Sequence, residues 1–353
     1  MNIRYNAALT ALLAAALFGI TTPLAKGLLG SLSPFMVAGL FYLGSGLGLA
    51  VAILIRRLRR TTREQKNASR IPMSEIPWLL GAIIAGGVAG PAFLMFGLTT
   101  TSAATSSLLL NLEGVFTAVI AWVVFRENVD WQVLLGMAAI VTGGVMLSWH
   151  PGAVGVSVGA LFVAAACASW AIDNNLTRKV STNDAMIIAC LKGLMAGTVN
   201  LVIALGLGAH LPDFRHLAGA MLTGFGGYGI SLVLFVVALR NLGTARTGAY
   251  FSIAPLFGVA LSLVLWPEMP PPLFWFATAL MALGVWLHLR ERHEHNHTHE
   301  TMDHNHRHRH DEHHQHTHDF SWDGQEPHTH AHRHEPLTHK HAHFPDIHHR
   351  HTH

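Results

Sequence analysis

Ten long apolar segments follow one another along this chain of 353 residues. They lie at Ala7–Ala25, Pro34–Ile55, Trp78–Leu98 and Ala103–Phe125, and at about 131–149, 156–177, 185–207, 218–239, 247–266 and 272–289. A helix rises about 1.5 Å per residue, so roughly 20 residues cross the hydrocarbon core of a membrane. The pattern predicts an all-α integral membrane protein with ten transmembrane helices, and it excludes a soluble globular enzyme.

The basic residues of the loops indicate how these segments are oriented. With the N-terminus inside the cell, 14 Lys and Arg residues fall on the cytoplasmic side, whereas Lys26 and Arg215 fall outside. Positively charged loops stay in the cytoplasm. We therefore expect a multi-pass protein of a bacterial inner membrane with both termini in the cytoplasm. The lipid bilayer is then a partner, and the basic excess of the body needs no nucleic acid to explain it.

Parts of the first half recur in the second half. The matching pairs are Leu98–Thr105 with Leu239–Arg246 and Asn111–Phe116 with Ser252–Phe257, offset by 141 residues, and Phe18–Pro23 with Trp170–Asn175, offset by 152. Each half contains five apolar segments, and an odd number inserts the second copy into the membrane upside down. Chance similarity between sequences rich in Leu, Ala and Gly is the alternative. The chain then divides into a five-helix repeat at 1–150, a second at 151–290 and a tail at 291–353.

The second half carries a family resemblance. The stretch Ala238–Arg246, the following Pro255-Leu256-Phe257 and the span-ending Glu268 resemble the EamA-type domains of the drug/metabolite transporter superfamily. The first half departs from that pattern, because Gly114 stands where the family has proline. The resemblance implies ten helices around a central cavity, alternating access, and secondary transport of a small organic metabolite or drug, often outward. It implies no cofactor for transport and does not name the solute.

Three ionisable side chains lie inside predicted spans, where a charge needs a partner or a function. Asp173 and Lys192 lie at similar depths, so they form either a structural ion pair or part of a substrate- or proton-coupling site. Glu113 has no cation at its depth along its own helix. Burial favours the protonated form of such a carboxyl, which suits proton exchange. Alternatively, Glu113 pairs with Lys192 or hydrogen-bonds a neighbouring helix.

Asparagines and glycines complete the candidate transport residues. Asn111, Asn174 and Asn175 are costly to bury unpaired, so they either line the cavity or join helices. Glycine and proline interrupt corresponding spans of the two halves, which indicates paired gating regions. Those positions are Gly86, Gly87, Gly90 and Pro91 in the first half and Gly224, Gly226, Gly227 and Gly229 in the second. Close packing of helices through small residues is the alternative interpretation.

Two apparent enzyme motifs do not indicate enzymes. Gly224, Gly226 and Gly229 match a dinucleotide-binding spacing, but no strand precedes them. His293–His297 matches a metalloprotease spacing, which is expected by chance in so His-rich a segment. We find no P-loop and no nucleophile arrangement, and we therefore predict no enzymatic activity.

The tail holds 23 of the 27 histidines of the chain. Alternate residues of an extended chain point the same way, so flexible imidazoles can gather on one ion, and imidazole suits Zn, Ni, Co and Cu. We predict a cytosolic metal-binding tail that is disordered without metal, because it has too few apolar residues for a core. Its candidate ligands are His293, His295, His297, His299, His304, His306, His308, His310, His313, His314, His316, His318, His328, His330, His332 and His334.

These features leave three functions open. The first is export of a small organic metabolite or drug, with the tail buffering, sensing or delivering metal. The second is efflux of a divalent metal ion (Ni, Co or Zn), with the tail collecting ions at the cavity mouth; against it, His150, His210, His216 and His288 all lie at span ends. The third is a membrane-anchored metal store, which an inverted repeat disfavours. Direction, coupling ion and oligomeric state do not follow from the sequence.

Overall fold

A computed structural model of the chain describes most of the body and four stretches of the tail. The described residues are 2–58, 71–125, 131–148, 157–180, 183–242, 250–267 and 269–289, together with 294–299, 302–308, 328–334 and 337–342. Within these limits all regular secondary structure of the body is helical, and that of the tail is β-strand.

The described part of the first half contains eight α-helices. They are α1 (Asn2–Gly19), α2 (Thr21–Leu28), α3 (Pro34–Leu58), α4 (Ile76–Ala82), α5 (Gly90–Thr100), α6 (Ala103–Leu109), α7 (Leu112–Phe125) and α8 (Trp131–Ser148). A short 3₁₀ turn at Met73–Glu75 precedes α4, and a π-helical segment at Ile83–Ala89 joins α4 to α5.

The second half contains six α-helices in its described part. They are α9 (Val158–Thr177), α10 (Ala185–Gly206), α11 (Phe214–Gly224), α12 (Ser231–Leu242), α13 (Ala254–Leu265) and α14 (Pro272–Leu289). A 3₁₀ turn at Arg178–Val180 follows α9, and a second π-helical segment at Phe225–Ile230 joins α11 to α12.

Helices lie in all ten predicted segments, and among the described residues seven helical stretches are long and apolar enough to cross a membrane. These seven are Ala8–Leu28, Pro34–Leu58, Met73–Thr100, Ala103–Val124, Trp131–Ser148, Ala185–Gly206 and Phe214–Phe235. The α9 helix has 20 residues but carries several polar side chains, and the apolar stretches Ala254–Leu265 and Pro272–Leu287 are shorter. A multi-pass helical membrane fold is therefore confirmed, while a count of ten spans stays a prediction.

Irregularities in the helices recur at the offset found in the sequence. The first π segment ends at Ala89 and the second at Ile230, which is 141 residues later. The turn at Leu110–Asn111 separates α6 from α7, and a turn at Ser252–Ile253 precedes α13. The turn at Ser252–Ile253 follows the turn at Leu110–Asn111 by 142 residues, which is within one residue of the offset of 141. Corresponding spans of the two halves are thus interrupted at corresponding places, as expected of a repeat.

Helices α3 and α10 cross in close contact. Four glycines lie at this crossing, Gly39 and Gly46 on α3 and Gly193 and Gly197 on α10. A methyl group added at Gly193 would lie 2.5 Å from the backbone nitrogen of Gly46, so the two backbones touch. Small residues permit this approach between membrane helices, where dispersion contacts replace the hydrophobic effect.

The described part of the tail forms two antiparallel ribbons. Strand β1 (Glu294–His299) pairs with β4 (Leu337–Ala342), and β2 (Met302–His308) pairs with β3 (His328–His334). The register places His297 opposite His339 and His306 opposite His330. The prediction that the tail is disordered without metal stays a prediction. A two-stranded ribbon alone is marginal in water, so the absence of a tail core stays a prediction.

Candidate functional site at the centre of the helix bundle

A buried ion pair joins α9 to α10. The Lys192 Nζ lies 2.6 and 2.7 Å from the two carboxylate oxygens of Asp173 and donates to Thr177 Oγ1 at 3.2 Å. The Thr177 hydroxyl in turn donates to Asp173 at 2.7 Å. Only 14% of the lysine side chain and 9% of the aspartate side chain are exposed. All three ammonium hydrogens therefore have acceptors, and the sequence-predicted pairing of Asp173 with Lys192 is present.

The first π-helical segment presents a free carbonyl beside this pair. In a π-helix each N–H bonds to the carbonyl five residues earlier, but Pro91 has no N–H to give to Gly86. The Tyr42 hydroxyl (2.7 Å) and the Trp170 indole nitrogen (2.9 Å) donate to the Gly86 carbonyl instead. Tyr42 lies on α3 and Trp170 on α9, so one carbonyl that lacks a backbone donor joins three parts of the bundle.

The neighbouring carbonyl is satisfied in the same way. Asn200 Nδ2 on α10 donates to the Gly87 carbonyl at 3.0 Å and also to Ala196 on its own helix. The side-chain oxygen of Asn200 is buried without a hydrogen-bond partner among the described residues. The proline-terminated π segment is thus held by side chains of three helices, and the loss of backbone bonds within it is compensated by tertiary ones.

Glu113 lies at the start of α7, directly after the break between α6 and α7. Its carboxylate Oε1 accepts a hydrogen bond from Asn174 Nδ2 at 2.9 Å, and the same amide contacts Thr117 Oγ1 at 3.4 Å. A carboxylate in the first turn also interacts favourably with the helix dipole. Of the alternatives raised by the sequence, the structure shows the hydrogen bond to a neighbouring helix rather than a pair with Lys192.

The two other asparagines bond locally. Asn111 Nδ2 donates to Leu108 and Asn175 Nδ2 donates to Ala171, each at 2.9 Å on a nearby backbone carbonyl. The structure therefore brings Asn174 into contact with Glu113 but not Asn111 or Asn175. Helix-local bonding of this kind satisfies a buried amide without any need for a ligand.

Aromatic rings surround the same region. The ring centroid of Tyr228, in the second π segment, lies 5.1 Å from Tyr42, 5.8 Å from Phe41 and 6.0 Å from Phe18. Phe251 extends the cluster, 5.4 Å from Phe18. Tyr42 and Tyr228 are only half-buried, whereas Phe41 is fully buried. The two tyrosines thus keep ring surface available at the centre of the bundle.

The predicted gating glycines lie at close contacts with one exception. A methyl group at Gly86 would overlap the Asp173 carboxylate, and one at Gly227 would overlap Thr21. These are corresponding contacts, because Gly227 follows Gly86 by 141 residues and Asp173 follows Thr21 by 152. In the first half, Gly87 packs against Ala196 and Gly90 packs against Trp170, while Pro91 lies in the first turn of α5. In the second half, Gly224 packs against the backbone of Phe41, and Gly229 packs against Phe225 and Ser45. Gly226 has nothing within 4 Å of an added methyl group.

Metal ligands do not gather in the described body. No group of three His, Cys, Asp or Glu side chains that could hold an ion occurs among the described residues. The thiols of Cys167 and Cys190 are free, buried and directed at the backbone carbonyls of Leu109 and Gly46.

Some predicted residues lie outside the described part of the chain. They are Glu268, His293, His310, His313, His314, His316 and His318. The remaining candidate ligands of the tail lie within β1, β2 and β3, of which the backbone alone is described.

Sequence reasoning missed Tyr42, Trp170 and Tyr228. An aromatic residue in an apolar span is unremarkable by itself, because such residues fill most membrane helices. The available signal was the Gly-Gly-Val-Ala-Gly-Pro run at 86–91. It marks carbonyls that lose their backbone donors and therefore require donors from elsewhere.

Comparison with known proteins gives a consistent result. The model of the EamA-like transporter family matches residues 6–149 and again residues 157–290. An uncharacterized transporter of Methanothermobacter thermautotrophicus is 29% identical over 266 residues, covering 71% of this chain and 76% of that protein. The uncharacterized inner membrane transporter YedA of Escherichia coli K12 is 25% identical over 272 residues, covering 72% and 83%.

Two further proteins are similar to this chain. A protein of Streptantibioticus cattleyicolor named "probable terminal-alkyne amino-acid exporter" is 25% identical over 216 residues, covering 60% of this chain and 73% of its own length. One solved crystal structure matches with a TM-score of 0.56 at 19% identity, covering 80% of this chain and 96% of that one. At this identity the structural match supports the fold alone.

Proposed function

The chain belongs to the EamA-like transporter family, and from this premise we propose that it is a secondary transporter that exports a small organic metabolite or drug. A multi-pass membrane transporter follows from the family and from the seven membrane-compatible helices. Export and the organic nature of the solute are the proposal. One similar protein is named an amino-acid exporter, which is in keeping with both.

The observation that carries the proposal is the polar centre formed by helices of both halves. Glu113 from the first half bonds to Asn174 from the second, which is next in the chain to the paired Asp173. Tyr42 bonds to the carbonyl of Gly86, and Gly86 packs against Asp173. Charged and polar side chains inside a membrane protein mark substrate or ion pathways. Their position at the interface of two inverted halves is where transporters of this architecture bind solutes.

Two structural features support alternating access. The paired π segments, Ile83–Ala89 and Phe225–Ile230, are local irregularities of the kind found at functional sites in helices. Their glycines Gly86 and Gly227 pack against Asp173 and Thr21, each of which lies in the first apolar segment of the opposite half. We propose that the two segments bend as the halves rock about the site, with Tyr42 and Trp170 bound to the Gly86 carbonyl in the arrangement observed here.

The orientation and the tail complete the proposal. Loop charges favour both termini in the cytoplasm of a bacterial cell, and YedA, one of the relatives, is named an inner membrane transporter. The tail would then bind Zn, Ni, Co or Cu on the cytosolic side, where it would buffer, sense or deliver the ion. The antiparallel register that places histidines opposite one another supports such binding.

Efflux of Ni, Co or Zn is the competing function. The His-rich tail favours it, because a carrier of metal ions would gain from ligands at its cytosolic mouth. The lack of a converging group of three ligands in the described body speaks for an organic solute.

Tolerance of expressing cells tests the proposal. A host that lacks its own drug exporters would carry the full chain, the Asp173→Asn variant or an empty vector. Growth would be measured against toxic organic cations, anions and zwitterions and against Ni, Co, Zn and Cu salts. We expect the full chain to raise tolerance to an organic compound and the variant to lose this effect. Tolerance to metal salts alone would establish metal efflux instead, and tolerance to nothing would overturn both transport functions.

A further inference from the structure

We infer that the tail binds divalent metal ions across the two strands of an antiparallel ribbon, and that each ion is shared by histidines of both strands. The inference rests on the metal-binding tail of the proposed function, and it adds which histidines act together and which parts of the chain their ion joins. The ligand set is the three directly opposed pairs of β2 and β3: His304 with His332, His306 with His330, and His308 with His328.

The first argument is the register of β2 on β3. Directly opposite residues of antiparallel strands lie on the same face, with Cβ atoms about 4.5–5.5 Å apart, and alternate residues of one strand share that face. Every second residue from His304 to His308 is a histidine, and each lies opposite a histidine of 328–332. One face of this ribbon therefore holds six histidines in two rows. The residues between them, on the other face, include no histidine.

The second argument is that β1 and β4 repeat this arrangement in the same register. They hold two more opposed pairs, His295 with His341 and His297 with His339. On both strands, eleven residues separate the pair at 297 and 339 from the pair at 308 and 328. Alternating histidines can pair in many registers, and the register present sets five pairs of histidines directly opposite one another.

The third argument is the pairing of the residues between the histidines. Asp303 lies opposite Arg333, and Thr298 lies opposite Thr338. Opposite charges and pairs of threonines at such positions stabilise antiparallel strands. A slip of one residue would separate both pairs and would set the histidines of β2 opposite other residue types. The register that opposes the histidines is thus also the register that their neighbours favour.

The fourth argument is the number of ligands that neighbouring pairs supply. Two adjacent pairs, such as those at His304 and His306, bring together four imidazoles, which is the coordination number of most structural zinc sites and suits Ni and Cu as well. A two-stranded ribbon is marginal in water by itself, so a shared ion would hold the two strands together. Because His328 follows His308 by 20 residues, this ion joins two separate parts of the tail.

Three variants test whether the strands share their ions. Threonine replaces histidine in each, because it keeps the preference for a strand and is a poor ligand. The first variant changes β2 (His304→Thr, His306→Thr and His308→Thr), the second changes β3 (His328→Thr, His330→Thr and His332→Thr), and the third combines all six changes. The purified full chain and each variant in lipid nanodiscs would be titrated with Zn²⁺ and, separately, with Ni²⁺, and the bound ions would be counted after dialysis.

Shared ions predict losses that do not add. Either single-strand variant should lose as many bound ions as the combined variant, because each removes half of every site. Strands that bind ions independently would give a combined loss about twice that of either single-strand variant, which would overturn the inference. The matched control is Asn305→Thr with Ala331→Thr, an opposed pair on the other face of the same ribbon. It should bind as many ions as the wild type.

Spin labels at that control pair test the geometry independently. Asn305→Cys and Ala331→Cys can be labelled selectively, because Cys167 and Cys190 are buried. With Zn²⁺ bound, the two labels should show one short distance, and this distance should be lost in the β2 variant. A long or broad distribution of distances in the zinc-bound wild type would overturn the inference.

The outcomes separate this inference from the proposed function. Additive losses or distant labels would overturn the shared sites and leave a metal-binding tail intact. A full chain that binds neither Zn²⁺ nor Ni²⁺ would overturn the tail's metal binding together with the inference, and it would leave export of an organic solute untouched. Tolerance of expressing cells to organic compounds, measured in the same variants, reports on export separately and should match the wild type in all of them.

Discussion

Among single side chains, Asp173 and Lys192 have the largest predicted effect on stability. Removing either partner leaves the other charge buried and uncompensated, which costs about 3–5 kcal/mol. We expect Asp173→Asn and Lys192→Met each to lower the free energy of unfolding by this order. The double variant should recover most of the loss, because neither charge then stays behind. Thermal unfolding in detergent, followed by tryptophan fluorescence, measures the effect.

The exposed pair Arg56–Asp184 is the control for that prediction. Its side chains are 42% and 30% exposed, and exposed pairs contribute about 0–1 kcal/mol. Arg56→Ala should therefore hardly change the unfolding midpoint. A double Asp173→Asn/Lys192→Met variant as unstable as the single variants would contradict the argument. If the double variant is stable but inactive, the pair takes part in coupling, and if it transports normally, the pair is structural.

The Gly86 carbonyl gives a second prediction about single side chains. Tyr42→Phe and Trp170→Phe each remove one of its two donors and should each cost about 1 kcal/mol. Their combination should cost more than the sum, because the buried carbonyl then loses its last donor and bears a desolvation penalty of about 1–3 kcal/mol. A double-mutant cycle of unfolding midpoints measures this coupling. Trp122→Phe, at a tryptophan 45% exposed on α7, is the control, and additive losses would contradict the shared-acceptor interpretation.

The charged and aromatic residues of the centre differ in how far the sequence reveals them. Charges are rare in membrane helices, so Glu113, Asp173 and Lys192 could be singled out from their position alone. Tyr42 and Trp170 could not, because their function depends on a carbonyl freed 44 and 84 residues away in the chain. The pairing of Asp173 with Lys192 required only helix geometry. The contact between Glu113 and Asn174 required the packing of α7 on α9, which no local pattern contains.

For the secondary-structure elements, the two π segments give the most specific prediction. Alanine at Gly86 or Gly227 would overlap Asp173 or Thr21, and overpacking of this kind costs about 1–3 kcal/mol. We expect both variants to be less stable and to transport more slowly, since the segment must separate from its neighbouring helix. Unfolding midpoints and initial transport rates measure the two effects.

Gly226→Ala is the matched control within the same segment. It adds the same methyl group where nothing lies within 4 Å, so stability and rate should stay near wild type. A loss as large as that of Gly227→Ala would mean that any alanine disturbs the π-helix, and the packing argument would fail.

The positions of these irregular elements were predictable, but their form was not. Glycine and proline at 86–91 and 224–229 indicated interruptions at matching places in the two halves. They did not indicate a π-helix, because the wider turn depends on which carbonyls find donors on other helices. The break at Leu110–Asn111 had no such marker, since neither residue is a helix breaker of the strength of proline. The offset of 141 residues would have located it only once its partner at Ser252–Ile253 was known.

For the complete chain, the sequence separates two physically different parts. The body is apolar enough that helices in a membrane are nearly forced, because unpaired backbone groups are too costly in lipid. The tail holds 23 of 27 histidines and too few apolar residues for a core. Length and hydropathy therefore predict the class of the body well. They leave open whether the tail serves the transport cycle, because a metal-binding segment needs no fixed contact with the body to act.

Removing the tail decides what it contributes. Cells would express the full chain, residues 1–290, or neither, and their Ni, Co, Zn and Cu contents would be measured after growth in each metal. We expect the full chain to raise bound metal relative to the vector and the 1–290 variant to match the vector, because the tail holds nearly all the imidazole ligands. Tolerance to the organic solute should be the same with and without the tail. If cells that express residues 1–290 contain less metal than cells with the empty vector, the body itself exports the ion. The transported species would then be a metal ion and not an organic solute. A full chain that leaves the metal content unchanged would instead show that the tail does not retain metal in the cell.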